Sequence, residues 1–164
     1  GKGAAVLVVI FDGLKGVAAA LFGKYAPQLF GVADPNSAAM LTSALAVVIG
    51  HIYPLYFGFR GGKGIMTSIA VIFVLDWEIG VILLVTCLAI MLLTRYVSLG
   101  SVAAAVSLPF TTYFVFHSTA CTVLGTCISL LVLWAHRSNI KRLLSGTESK
   151  FHFHVNAPKP GEDE

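Results

Sequence analysis

Four stretches of this chain, residues 3–22, 37–57, 96–116 and 119–135, are almost continuously apolar. A helix needs about 20 such residues to cross a hydrocarbon core of about 30 Å, and a chain carrying several can hide them only in a bilayer. Two shorter runs, 65–75 and 79–94, lie between the second and third, parted by Asp76-Trp77-Glu78. At about 1.5 Å per residue, 65–75 reaches only about 16 Å. It is too short to cross alone, and the pair is expected to form a helical hairpin shielded by its neighbours. The predicted fold class is all-α, a polytopic membrane helix bundle with six membrane segments.

Charge agrees. Only 12% of residues are charged and 57% are hydrophobic, whereas soluble domains carry about 25% charged residues. That excludes a soluble globular enzyme, a nucleic-acid-binding domain and a disordered chain. If the chain starts inside and crosses at each segment, nine of the 11 basic residues fall on the inner side. Lys24 alone falls outside, Lys15 lies within a span, and Asp34, Asp76 and Glu78 fall outside. This positive-inside asymmetry supports six crossings with both ends cytoplasmic.

Cys87, Cys121 and Cys127 all sit in apolar runs without metal-ligand spacing, so neither a disulfide framework nor a metal site is expected. No cofactor is indicated. The N-terminus Gly1-Lys2-Gly3 lacks an initiator Met and is followed by an apolar run too long for a signal peptide; a fragment is the expectation. Residues 1–150 read as one integral membrane domain, and the polar, Pro-rich 151–164 as a disordered cytoplasmic tail. His152 and His154 in that tail are a weak metal signal.

Three polar clusters converge on the inner face. The first is Gly50-His51-Ile52-Tyr53-Pro54 followed by Gly58-Phe59-Arg60-Gly61-Gly62-Lys63-Gly64. Glycines let backbone N–H groups approach an oxyanion, a helix N-terminus adds unpaired donors, and Lys63 adds charge. It is not a nucleotide-binding P-loop, because Phe57 and Gly64 occupy positions needing Gly and Ser or Thr. A flexible basic turn is the competing reading. The second cluster, Thr94 to Ser101, holds Arg95 and Ser98 three apart, on one face if helical. An Arg-Tyr interfacial anchor is its simpler explanation. The third, His136 to Lys150, holds His136 and Asn139 three apart, with Arg137, Lys141 and Arg142. Lys141 and Arg142 read as a basic collar for anionic lipid head groups.

Together the clusters predict a site for a phosphate-bearing ligand beside an apolar compartment. Asp12 and Lys15, about one turn apart within a span, read first as a structural ion pair. His117 reads as interfacial. Rival classes are a small transporter of an organic phosphate and a non-catalytic scaffold. A transporter favours polar groups at mid-membrane, and a scaffold needs no convergent phosphate-type clusters.

Gly-His-Ile-Tyr-Pro…Phe-Arg-Gly-Gly-Lys-Gly, Tyr-Val-Ser-Leu-Gly-Ser and His-Arg-Ser-Asn-Ile-Lys-Arg-Leu-Leu-Ser-Gly-Thr-Glu-Ser-Lys resemble the bacterial acyl-phosphate:glycerol-3-phosphate acyltransferase family, PlsY. The opening Phe-Asp-Gly-Leu-Lys-Gly region resembles its second transmembrane helix, and the resemblance runs from residue 1 to about 150. It implies a seven-helix inner-membrane enzyme with cytoplasmic active-site loops. The implied reaction joins the acyl group of acyl phosphate to the 1-hydroxyl of sn-glycerol 3-phosphate, giving lysophosphatidate and phosphate. It also implies a link to an acyl-phosphate-producing enzyme. By resemblance Lys63, Ser98, His136 and Asn139 are catalytic, and His51, Gly61, Gly62, Gly64 and Arg95 bind phosphate or substrate. The family's first helix and first motif loop precede residue 1, so an incomplete site and impaired activity are expected of this chain.

Overall fold

Backbone groups cut off from water must bond within their own segment, and each apolar run is accordingly a helix. In the computed structural model, which describes residues 2–33 and 37–151, α1 is Lys2–Leu29, α2 Ala38–Ile52, α3 Ile65–Leu75 and α4 Trp77–Thr94. α5 is Val97–Phe116, α6 Thr119–Ala135 and α7 Arg137–Leu144, with a 3-10 turn at Leu55–Phe57. The tail expected at 151–164 lies outside the described residues except for Phe151, as do Asp34, Pro35 and Asn36 of the first turn.

The six expected segments are all helical. By length and composition, α1, α4, α5 and the stretch Ala38–Phe57 can each cross a membrane, and α6 with α7, bent by 63°, makes a fifth if taken as one span. α3 remains short. The chain is a multi-pass helical membrane protein, with four or five candidate full-length crossings among the described residues.

The 79–94 run differs from expectation. Only Asp76 separates α3 from α4, which has 18 residues and is a full-length candidate span, not the short half of a hairpin. The Asp76 carboxylate accepts the Ile79 N–H at 3.0 Å, and Glu78 sits in the first turn. Both place negative charge where the helix dipole is positive.

α3 packs against α1, α2 and α4, while α6 touches both α5 and α2. Ala44, Val48 and Ile52 of α2 and Leu124, Ile128 and Val132 of α6 repeat every four residues and share a core with Ile69, Val71 and Ile72 of α3. Shielding on three sides lets a helix of 11 residues persist. Membrane helices associate through close packing more than through the hydrophobic effect, and glycines supply it here. A Cβ on Gly16 would lie 2.8 Å from the Thr67 carbonyl oxygen, and one on Gly23 2.6 Å from Ser43 Oγ. α1 therefore rides directly on α3 and α2.

Pro109, inside α5, has no N–H to offer the Ala105 carbonyl one turn earlier. Ser129 of α6 donates to that oxygen at 2.6 Å. A gap in one helix becomes a tie between two.

Candidate functional site

A cavity of about 670 Å³ opens where α3 and α5 begin and α6 joins α7, and it brings together Lys63, Ser98, His136 and Asn139. These four residues come from three separate stretches of chain: the loop before α3, the first turn of α5, and the α6–α7 bend with the start of α7. Arg142 and Glu148 line it too. Its apolar lining includes Met66 and Ile69 of α3 and Leu84, Cys87, Leu88 and Met91 of α4. The α4 residues follow helical spacing and form one stripe.

The bend between α6 and α7 organises the polar wall. His136, Asn139 and Arg142 are three apart, so a single helical face carries all three. His136 is 2% exposed, and its Nδ1 lies 2.8 Å from the Val132 carbonyl oxygen. A carbonyl can only accept, so Nδ1 bears the proton and the neutral ring keeps a lone pair on Nε2. Asn139 Nδ2 donates to Glu148 Oε1 at 2.7 Å, and Arg142 Nε to Oε2 at 2.6 Å. Asn139 Oδ1 and Ser98 Oγ are buried without a hydrogen-bond partner. Burying an unmade bond costs stability, so the fold keeps two polar atoms unspent at the wall of one cavity.

Glu148 sits among these groups. Ser98, Asn139 and Arg142 hold its carboxyl well below the usual glutamate value, at about 2. The Ser98 hydroxyl contributes most, although it is not aligned for a hydrogen bond of its own.

Lys63 reaches the cavity from the loop before α3. The first turn of α3 leaves N–H groups unpaired, as every helix start does, and Ile65 and Met66 bring that turn to the cavity. A cation beside a helix N-terminus is suited to an anion.

The remaining expected residues lie elsewhere. Gly61 N–H donates to the Ile52 carbonyl at 3.1 Å and Gly62 N–H to the His51 carbonyl at 3.2 Å. Those two amides close the loop onto α2 and are not available to a ligand, so the glycines serve close approach instead. Gly64 takes a left-handed conformation, φ 82°, immediately before α3, a region that glycine enters without strain. The His51 imidazole faces Lys15 and Asp12 of α1. Arg95 does not share a helical face with Ser98: it ends α4 in a left-handed conformation, φ 62°, and α5 starts only at Val97. Its carbonyl accepts the Phe151 N–H at 2.7 Å. None of these five lines the cavity.

Three charged residues outside the expected set also line the cavity: Arg142, Glu148 and Lys150. A lipid-collar reading of Arg142 leaves out the spacing 136, 139, 142, which puts it in register with His136 and Asn139. Glu148 had no local signal beyond being the single acid in a basic stretch. A second cavity of about 420 Å³, between α5 and α6 beside His117, has no lysine or arginine in its lining. Neither does it hold a buried unpartnered polar atom.

Fold and site together define a helical membrane protein with an anion-suited polar pocket joined to an apolar wall. The family model described as glycerol-3-phosphate acyltransferase matches residues 1–146. A glycerol-3-phosphate acyltransferase of Thermoanaerobacter sp. (strain X514) is 43% identical over 150 residues, covering 92% of this chain and 72% of that protein. One from Synechococcus sp. (strain CC9902) is 39% identical, with 92% and 72% covered. Among solved structures, PlsY (YgiH), an integral membrane glycerol 3-phosphate acyltransferase, is similar in both its lysophosphatidic acid and glycerol 3-phosphate forms. The TM-score is 0.81 at 36% identity, covering 93% of this chain and 74% or 73% of PlsY. The chain belongs to the glycerol-3-phosphate acyltransferase family.

Proposed function

We propose that the protein transfers a fatty acyl group from acyl phosphate to the 1-hydroxyl of glycerol 3-phosphate, releasing lysophosphatidate and inorganic phosphate. The observation that carries this reading is the single cavity in which Lys63, Ser98, His136 and Asn139 meet an apolar lining. Glycerol 3-phosphate as acceptor is supported by the form in which the similar PlsY was solved. Acyl phosphate as donor follows from the sequence resemblance.

Lys63 and the first amides of α3 hold a phosphate group. Ser98 Oγ and Asn139 Oδ1, both without protein partners, orient the glycerol phosphate. Acyl phosphate is already activated, so positioning and charge stabilisation do most of the catalysis. The acceptor oxygen attacks the acyl carbon, and the acyl–phosphate bond breaks. The hydroxyl proton passes to His136 Nε2; a substrate phosphate oxygen is the alternative acceptor. Transfer is direct, without an acyl-enzyme. The protein resides in the bacterial inner membrane with this site cytoplasmic, as nine basic residues on one side favour, and an enzyme that makes acyl phosphate supplies it.

The test is an acyl-transfer assay on protein in phospholipid nanodiscs, with labelled glycerol 3-phosphate and acyl phosphate. Labelled lysophosphatidate is expected in wild type and sharply reduced in Lys63→Ala of unchanged thermal stability. Full activity in that variant removes Lys63 from the site. Uptake of glycerol 3-phosphate into vesicles without acylation moves the reading to transport.

A further inference from the structure

Asp12 and Lys15 are charged residues inside the long apolar helix α1. Lys15 Nζ donates to Asp12 Oδ1 at 2.6 Å and also lies against His51 Nδ1 on α2. Asp12 Oδ1 is 3.4 Å from the same ring nitrogen. Thr67 of α3 donates its hydroxyl to the Asp12 backbone oxygen at 3.1 Å. Gly16 permits this, since a Cβ there would press on Thr67. One short stretch of α1 thus grips both helices that flank the loop carrying Lys63.

An ammonium has only donors, so the His51 nitrogen facing it is the acceptor and the ring proton sits on Nε2. That far edge of the ring is the bed of the loop: a Cβ on Gly62 would overlap His51 Nε2 and Cε1. The loop is sewn to the same turn of α2 by the Gly61 and Gly62 amides. The next residue is Lys63, which enters the cavity. A pair on α1 that merely joined helices would need His51 as its partner on α2, but it would not need the other edge of that ring to be the bed of the loop.

We propose that Asp12 and Lys15, acting through His51, are positioning residues that set the Gly61–Gly62 turn and so aim Lys63 into the cavity. The proposal rests on Lys63 being the phosphate anchor. It assigns a role to two intramembrane charges and removes His51 from direct substrate contact.

A double-mutant cycle tests it. Lys15→Met and Asp12→Asn are each expected to lower kcat/KM for glycerol 3-phosphate on the order of 10- to 100-fold, the scale of a misplaced binding group. In a Lys63→Ala background the same substitutions are expected to cost under about twofold, because the group they aim is gone. Equal losses in both backgrounds overturn the proposal and leave a packing role. A second measurement needs no turnover. With lysines labelled by reductive ¹³C-methylation, the Lys63 resonance is expected to move in Asp12→Asn, which keeps a hydrogen-bonding side chain for folding. An unmoved resonance overturns the proposal. Absence of acyl transfer in wild type, with the resonance still responding, overturns the functional reading instead.

Discussion

Asn139 Nδ2 holds Glu148 Oε1 at 2.7 Å, and that bond decides which end of the amide is left over. Oδ1 remains buried and without a partner, at the wall of the same cavity as Ser98 and His136. Glu148 is therefore a fixture of the site, orienting Asn139 and Arg142 together.

Ser98 offers the clearest separation of activity from stability. Its hydroxyl is buried yet makes no hydrogen bond, so Ser98→Ala removes an unsatisfied group. Thermal unfolding in detergent is expected to show only a modest loss of stability, about 1 kcal/mol or less, because the hydroxyl also favours the charged Glu148 carboxylate. Acyl transfer is expected to fall. A variant that loses stability and keeps its activity contradicts the assignment.

Glu148 carries a pH signature. Its carboxyl lies near 2 where an ordinary glutamate lies near 4.5, so the folded state binds the proton more weakly than the unfolded state does. Its contribution is complete above about pH 4.5 and is lost as pH falls toward about 2. Glu148→Gln is expected to be less stable than wild type at neutral pH, with the gap closing across that window. A gap independent of pH in unfolding scans excludes the charge as its source.

His136→Gln tests the proton acceptor. Loss of a general base costs on the order of 10²- to 10⁴-fold; burial holds the His136 pKa below the usual histidine value, so the residual rate is expected to lose the fall-off that wild type shows on the acid side of that value. A turnover number nearly equal to wild type at every pH assigns the proton to a substrate phosphate oxygen.

Two glycines of α1 make a matched pair. A Cβ on Gly23 would lie 2.6 Å from Ser43 Oγ and 2.7 Å from the Ala39 carbonyl oxygen, whereas one on Gly13 meets nothing within 4 Å. Gly23→Ala is expected to destabilise by roughly 1–3 kcal/mol. Gly13→Ala is expected to stabilise by about 0.5–1 kcal/mol, since alanine suits a helix interior better. Equal unfolding temperatures for the two variants would show that α1 does not pack on α2 through Gly23.

The helices were legible because apolar length is a one-dimensional signal. Even the 65–75 run emerges as Ile65–Leu75. What the sequence could not show was which face a loop presents. Gly61 and Gly62 have the composition of an anion cradle, but their amides turn back onto α2. Arg95 and Ser98 have helical spacing, but Arg95 itself is left-handed and ends α4, so no helix joins them. Arg142 is hard to place from sequence because an arginine near a membrane surface has many uses. Only its register with His136 and Asn139 singles it out.

The shortness of α3 has a consequence for solvent. Its 11 residues span about 16 Å, roughly half the hydrocarbon thickness of about 30 Å. Lipid offers nothing to the unpaired N–H groups at its start, and Lys63 beside them is costly to dehydrate. The proposed phosphate site therefore requires water to descend to the start of α3, into the cavity that Lys63 lines. A water-soluble phosphate can reach its depth while a hydrocarbon tail lies alongside in the leaflet, and neither has to leave its own phase to meet the other.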